Sequence, residues 1–154
     1  MRFGSDVPQD MVAVRIGPPQ RYAIVGSPDY FRAKPPPRTP RDLGGHECIL
    51  RRFPGGTMQE WEFQRRPGKV PSLAGRIVVN DAQIAANAAA AGGGLAYLHE
   101  KYVERELAAG ELVRVLEAWS PGIGPPYLYY ARQRYLPAAL RAFIDFARED
   151  ARAA

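Results

Sequence analysis

The chain has 154 residues, of which 46% are hydrophobic, so it can bury a core of ordinary domain size and lacks the composition of a disordered segment. Its lone cysteine, Cys48, excludes an internal disulfide, and no apolar run approaches the roughly 18 residues of a membrane span. The net charge of +5 is scattered along the chain, so it points only weakly to an anionic ligand or nucleic acid. No secretory signal opens the sequence, and we therefore expect a cytoplasmic protein without a membrane anchor.

The apolar pattern predicts short strands and helices in alternation along the whole chain. The predicted strands, rich in β-branched and aromatic residues, cover residues 11–16, 21–25, 48–53, 61–63, 77–79, 95–98, 112–116 and 127–131. The predicted helices begin at Pro28 and Pro40, cover 82–91 and about 102–109, and begin again at Pro137. Capping serine and threonine, first-turn proline and i, i+3, i+4 spacing of apolar residues are the signals for these helices.

Residues 77–116 follow the order strand, helix, strand, helix, strand. The first helix is nearly all alanine, either Asn80 or Asp81 can cap its start, and Gly92–94 end it. This order indicates parallel strands joined by right-handed crossovers. In such sheets ligands sit beyond the carboxyl ends of the strands, so Asn80 and Asp81 are candidate ligand contacts as well as capping residues.

Two further residues have a binding and a structural interpretation. Arg52 follows a predicted strand end, where an arginine either binds a carboxylate through two hydrogen bonds or remains a solvated charge. Trp61 either lines a pocket or covers one face of an edge strand, and the covering role is favoured.

The sequence contains no convincing catalytic or metal site. His46 and Cys48 share a strand face, but no third group orients them, so core packing explains the cysteine better than nucleophilic chemistry. One cysteine and two distant histidines, His46 and His99, are too few for a zinc site. Gly92–94 follow a helix and open a strand, which is the reverse of a phosphate loop. The tyrosines of 127–131 suit a strand with rings on both faces better than a nucleic-acid platform.

Six segments resemble, in order, the effector-binding domain of LysR-type transcriptional regulators. They are RYAIVGSPDYF, TPRDLGGHECILRR, WEF, GRIVVNDAQIAANAAAAGGGLAYLHEKYV, LAAGELVRVL and YLYYARQRYLPAALRAFIDFARE. The resemblance covers nearly the whole chain, and its most specific parts are residues 27–31, 79–98 and 136–143. His99 stands where the family usually has proline, which would make it either a pH-sensitive group or merely an exposed one.

The resemblance implies an α/β fold similar to type-two periplasmic binding proteins, with two Rossmann-like lobes joined by the crossover strands 21–25 and 112–116. An incomplete first lobe would comprise residues 1–27 and 113–154, and the second lobe residues 28–112. The opening residues resemble the middle of the family's first lobe, and the family's winged helix-turn-helix has no counterpart here. We therefore expect a truncated chain.

The resemblance also implies a sensor rather than an enzyme. A small anionic effector, such as a carboxylate, would bind between the lobes, change their orientation and so alter a dimer or tetramer. No metal or cofactor is expected, and DNA would be bound only through the absent winged helix-turn-helix. The effector contacts implied are Phe3, Arg52, Phe53, Asn80, Asp81, Tyr97 and Leu98. The rival interpretations are a periplasmic-type solute-binding protein and a small α/β enzyme, which would need a nucleophile, a base and an orienting group.

Overall fold

The computed structural model describes residues 2–3, 10–64, 72–132 and 135–153. Two compact units comprise residues 21–121, here called the continuous unit, and residues 1–20 with 122–154, called the split unit. The strands are β1 (Arg2–Phe3), β2 (Met11–Arg15), β3 (Gln20–Gly26), β4 (Cys48–Arg51), β5 (Val78–Val79), β6 (Leu95–His99), β7 (Val113–Val115), β8 (Gly122–Gly124) and β9 (Pro126–Ala131). The α-helices are α1 (Pro28–Ala33), α2 (Ala82–Ala90), α3 (Glu104–Ala108) and α4 (Ala138–Ala153), and 3₁₀ helices cover Pro40–Gly45, Glu100–Tyr102 and Glu117–Trp119. The predicted second lobe, 28–112, falls inside the continuous unit, and the lobe limits themselves stay a prediction.

The sheet of the continuous unit has the order β5-β4-β6-β3-β7. β4 pairs in parallel with β5 and with β6, whereas β3 is antiparallel to both β6 and β7, with Ile24 opposite Tyr97 and Val115. β5, β6 and β7 therefore run in one direction, as the sequence predicts. The prediction that these three strands pair directly with one another is wrong. β4 lies between β5 and β6, and β3 lies between β6 and β7. Ala23, Ile24 and Val25 of β3 are fully buried because both faces of this central strand are covered.

Helix α2 covers one face of this sheet with small side chains. The buried residues of this core are Ala23, Val25, Ile49, Ala82, Ala85, Ala86, Ala89, Ala96, Leu98, Val103 and Leu112. Alanines on the inner side of α2 let the helix approach the strands closely. The opposite face has its own core, which consists of Ile24, Leu43, Leu95, Tyr97, Val115 and Leu116, with Trp61 and Phe63 packed against it.

The ends of α2 confirm the predicted caps. The Asp81 carboxylate accepts hydrogen bonds from the backbone N–H groups of Gln83 (2.8 Å) and Ile84 (3.0 Å). The helix ends at Ala90, and Gly92, with a φ of +83°, is the left-handed residue that closes it, its N–H donating to the carbonyl of Ala89. Gly94 has a φ of +135°, a conformation that L side chains rarely adopt. A Cβ atom on Gly94 would also overlap the carbonyl oxygen of Glu47, which accepts the first hydrogen bond of β6. The glycines therefore both stop the helix and let β6 start beside β4.

The split unit contains a three-stranded antiparallel sheet of order β1-β9-β2, with Ala13 opposite Tyr129. Helix α4 packs on β2, and Ile144 is its buried contact. The sequence predicts that Phe143 belongs to the packed face of this helix, but its side chain is 53% exposed. Phe143 lies at the flank of a helix that rests on a narrow sheet, which leaves it in solvent.

Two predicted elements take another form. Residues 61–63 do not form a strand, because no strand of the described chain pairs with them. The segment is held instead at its end, where the Gln64 N–H donates to the carbonyl of Trp119. Their alternation correctly indicates burial, because Trp61 and Phe63 pack on the sheet. The predicted helix at 102–109 is a 3₁₀ turn followed by the short helix α3. No helix within the described part of the chain has the length and apolarity needed to span a membrane.

Candidate functional site

Four strands of the continuous unit end at the same edge of the sheet. β4, β5, β6 and β7 run in one direction, so their carboxyl ends lie together, and the antiparallel β3 begins there. We call this place the carboxyl edge; it comprises Arg51–Phe53, Asn80–Asp81, His99–Glu100 and Arg21–Tyr22. The Arg52 N–H donates to the carbonyl of Val79 (2.7 Å), directly before Asn80. Arg52 and Asn80 therefore lie at the same end of the sheet, as predicted from the sequence.

A tight turn after β4 holds Arg51–Phe53 at this edge. The Phe53 N–H donates to the carbonyl of Thr57 (2.8 Å), and the Gln59 N–H donates to that of Arg51 (2.7 Å). The Phe53 side chain is 40% exposed, and the Arg51 guanidinium carbon lies 5.2 Å from the centre of its ring, a cation–π contact. Neither Arg51 nor Arg52 forms an ion pair with a carboxylate of the described residues. This edge therefore carries two positive charges that no described acid neutralises.

Four rings pack in series beside these arginines, three of them stacked and the fourth tilted. Tyr22 lies 4.3 Å from Tyr97 at an interplanar angle of 22°, and Tyr97 lies 5.5 Å from Trp61 at 24°. His99 packs on the other side of Tyr22, at 4.5 Å. We call these four residues the aromatic column. Tyr97 is buried, while Tyr22, Trp61 and His99 keep part of their surface exposed.

The column is uncharged at neutral pH. Burial raises the pKa of Tyr22 and of Tyr97, so both phenols keep their protons. Burial, assisted by the positive charge of Arg51, lowers the pKa of His99, so its imidazole is neutral. The charge of Arg51 acts on both Tyr22 and His99, and the opposite charge of Glu62 acts on Tyr22.

A second charged cluster at this edge is internally neutral. Glu100 bonds to Arg21 and to Arg114, and Glu117 accepts from Arg114 (3.1 Å) and Arg21 (3.3 Å). Burial would raise the pKa of Glu100, but the Arg21 hydrogen bond and the charges of Arg114 and Arg21 outweigh it, and the pKa is lowered. Two acids face two arginines, so the cluster joins β3 to β7 without adding net charge for a ligand.

The predicted contact residues fall into different structural roles. Asn80 is exposed, whereas Asp81 uses its carboxylate to cap α2. Leu98 has no exposed surface and packs in the core beneath α2, so its side chain presents nothing to a ligand. Phe3 lies in β1 of the split unit, opposite Pro126, and its side chain is outside the described part of the structure.

Sequence reasoning missed Tyr22 and Gln59. Tyr22 comes from β3, far from the other site residues in sequence, but period-two alternation alone places it on the face of Ile24. Gln59 is buried, and its side chain is hydrogen-bonded to Tyr22. A single glutamine in a loop gives no comparable signal.

The Cys/His pair is structural. The Tyr30 hydroxyl accepts from the Glu47 N–H (3.1 Å) and is hydrogen-bonded to Nδ1 of His46 (3.0 Å), which fixes the imidazole within the structure. Burial raises the pKa of the Cys48 thiol to about 11, which leaves it protonated and unreactive at neutral pH. No group of His, Cys, Asp and Glu side chains arranged to hold a metal ion occurs among the residues that the structure describes.

Comparisons with known proteins agree on one family. The family model for the LysR substrate binding domain matches residues 1–152. A Pseudomonas aeruginosa protein named as a transcriptional regulator is 41% identical over 147 residues, which cover 94% of this chain and 48% of that protein. The HTH-type transcriptional regulator PgrR of Escherichia coli is 37% identical, over 94% of this chain and 49% of its own length.

The fold of this chain is also similar to that of solved structures. The full-length structure of AphB, a Vibrio cholerae virulence activator of the LTTR family, has a TM-score of 0.79 at 26% identity. The match covers 96% of this chain and 50% of AphB. The chain therefore spans about half the length of the relatives that it matches.

Proposed function

The chain belongs to the LysR substrate-binding domain family, and from this membership we propose that it is the effector-sensing part of a LysR-type transcriptional regulator. The fold is that of the regulatory domains of this family, which resembles periplasmic binding proteins. Its relatives are regulators and not enzymes. Both rival interpretations, a small enzyme and a solute-binding protein, lose their basis.

The effector would be a small anion bound at the carboxyl edge of the continuous unit. The observation that carries this proposal is the unneutralised charge of Arg51 and Arg52 beside the exposed Asn80 and Phe53. Arginine side chains at a strand end offer paired N–H donors that match a carboxylate. An amide and a ring beside them add orientation and apolar contact.

The proposed contacts follow from the roles found above. Arg52, Phe53 and Asn80 would touch the effector directly, whereas Asp81 would act through the position of α2 and Tyr97 through the aromatic column. Leu98 supports the strand from beneath, and Phe3, in the split unit, remains a predicted contact. Binding at this edge would bias the arrangement of the regulator, which would act on DNA as an oligomer through a winged helix-turn-helix of the whole protein.

A thermal-shift screen tests the proposal. Small carboxylates at millimolar concentration should raise the melting temperature, while their uncharged amides should not, because a ligand that binds only the folded state stabilises it. Arg52→Gln should weaken the stabilisation. Asp81→Asn, which retains the capping oxygen, is the matched control and should not weaken it. Equal effects of acids and amides, or no effect of any acid, would contradict the proposal.

A further inference from the structure

We infer that the effector is a planar aromatic carboxylate, with its carboxylate on Arg51 and its ring against the aromatic column. This inference rests on the proposed function, and it names the ligand class and the specificity residue of the same site. Three independent observations support it: the distribution of charge, the preorganisation of Arg51, and the rings at the edge.

The charge distribution singles out Arg51 and Arg52 as anion-binding groups. Four other charges at or beside the carboxyl edge, Arg21, Arg114, Glu100 and Glu117, form the neutral cluster described above. Asp81 directs its carboxylate to the first turn of α2. A ligand carboxylate arriving here therefore meets two cations, and the acid that acts on the neighbouring rings is Glu62, whose charge raises the pKa of Tyr22 and of Tyr97.

Arg51 differs from Arg52 in being held in place. Its guanidinium lies over the Phe53 ring, which restrains the side chain. Its backbone carbonyl accepts from the Gln59 N–H, and the Gln59 side chain is hydrogen-bonded to Tyr22, which restrains the main chain beneath it. Arg51 is partly buried, whereas Arg52 is exposed. A side chain that is already fixed loses less conformational freedom on binding, so Arg51 is the better site for an oriented carboxylate. The charge of Arg51 also reaches Tyr22 and His99, whose pKa values respond to it.

The aromatic column favours a ligand whose remaining part is an aromatic ring. Tyr22 and Trp61 keep exposed surface on either side of the buried Tyr97, and Phe53 is 40% exposed near Arg51. Aromatic groups gain from edge and face contacts with other rings beyond the area that they bury. His99 is neutral, so it does not attract a second negative charge to this side. A ring bearing one carboxylate in its plane fits this arrangement better than a flexible or polyhydroxylated acid.

The experiment compares four probes that differ in one property each. They are benzoate, cyclohexanecarboxylate (same charge, not planar), benzamide (planar, uncharged) and glucuronate (charged and polyhydroxylated). Binding is measured by thermal shift and by tryptophan fluorescence in a Trp119→Phe variant, in which Trp61 is the remaining tryptophan of the two in the chain. Benzoate should stabilise the protein and change the Trp61 emission. Cyclohexanecarboxylate should bind about two- to tenfold more weakly, and benzamide and glucuronate about tenfold or more.

The matched variants separate Arg51 from general charge. Arg51→Met keeps the contact with Phe53 and should weaken benzoate binding by about tenfold or more. Arg32→Gln removes the same charge from α1, at the opposite edge of the sheet, and should leave binding unchanged. If glucuronate or cyclohexanecarboxylate binds as well as benzoate, or if Arg51→Met has no effect, the inference fails and the proposed anion sensor survives. If no probe acid binds, the proposed function fails as well.

Discussion

Both faces of the sheet in the continuous unit are covered by buried cores, whereas the split unit buries few of its described hydrophobic side chains. Residues 95–98 of β6 are all buried. Among the described hydrophobic residues of the split unit, Val14 and Ile144 are the buried ones. Phe143 and Phe146 of α4 are 53% and 66% exposed. The continuous unit is therefore stabilised by dense packing, and the split unit by strand pairing with little burial. Substitutions should affect the two units very differently.

The largest effect is expected at Gly94. Alanine there would need a φ of +135° and would overlap the carbonyl of Glu47, so Gly94→Ala should lower the free energy of unfolding by about 3 kcal/mol or more. Urea denaturation followed by circular dichroism measures this change. The control is Gly55→Ala, because its Cβ would meet no atom within 4 Å; its effect should stay within about 0.5 kcal/mol. Comparable effects of both variants would contradict the assigned backbone.

A pair of leucines compares the two units directly. Leu98 of β6 is 0% exposed in the core between the sheet and α2, so Leu98→Ala should lower the free energy of unfolding by about 2 to 5 kcal/mol. Leu128 of β9 is only partly buried, and Leu128→Ala should cost about 1 kcal/mol. Equal losses in urea denaturation would show that the split unit is packed as densely as the continuous one.

Lowering the pH should weaken the continuous unit selectively. Burial lowers the pKa of His46 and of His99 below the ordinary 6.5, so the unfolded chain binds more protons than the folded chain just below that pH. The contribution of these two histidines to the free energy of unfolding should be fully present above pH 6.5. It should fall as the pH drops below 6.5 and level off below the pKa values that the histidines have in the folded protein. Urea midpoints between pH 5 and 8 measure this slope. His46→Gln should reduce the slope, and an unchanged slope would contradict the role of burial.

The smallest effect on stability is expected on α4. Phe146→Ser should change the free energy of unfolding by less than about 0.5 kcal/mol, because the side chain is already exposed. Its effect should appear in self-association, since exposed apolar side chains mark contact surfaces. Light scattering at micromolar concentrations should detect a concentration-dependent mass for the unaltered chain and a smaller mass for the variant. A monomer of 17.0 kDa at all concentrations would contradict this expectation.

Local signals explain which parts of the structure could be predicted. The alanine run, Asp81 and the glycines placed α2 within one residue of its observed end, because each signal acts over a few residues. Strand neighbours could not be predicted, since β3 and β4 enter the sheet through contacts between distant segments. Residues 61–63 show the same limit: their alternation indicates burial, but a strand also needs a partner.

The candidate site shows the same division. Arg52 and Asn80 were placed correctly at one end of the sheet because each follows its own strand. Leu98 was named as a contact although alternation along β6 puts it on the face of Ala96, beneath α2. Tyr22 was missed because its partners Tyr97 and His99 come from a strand more than seventy residues later.

The continuous unit begins and ends at one point, since the Tyr22 N–H donates to the carbonyl of Pro121 (3.3 Å). The split unit instead pairs β2 with β9, whose facing residues Ala13 and Tyr129 are more than a hundred positions apart. On the ribosome, residues 21–121 can thus fold as soon as they emerge, while β2 waits for β9, which follows that segment by a few residues. During that interval its unpaired edge is open to any other nascent strand. The same geometry makes residues 21–121 a natural segment to express alone, or to transplant into another protein as an insertion with adjacent ends.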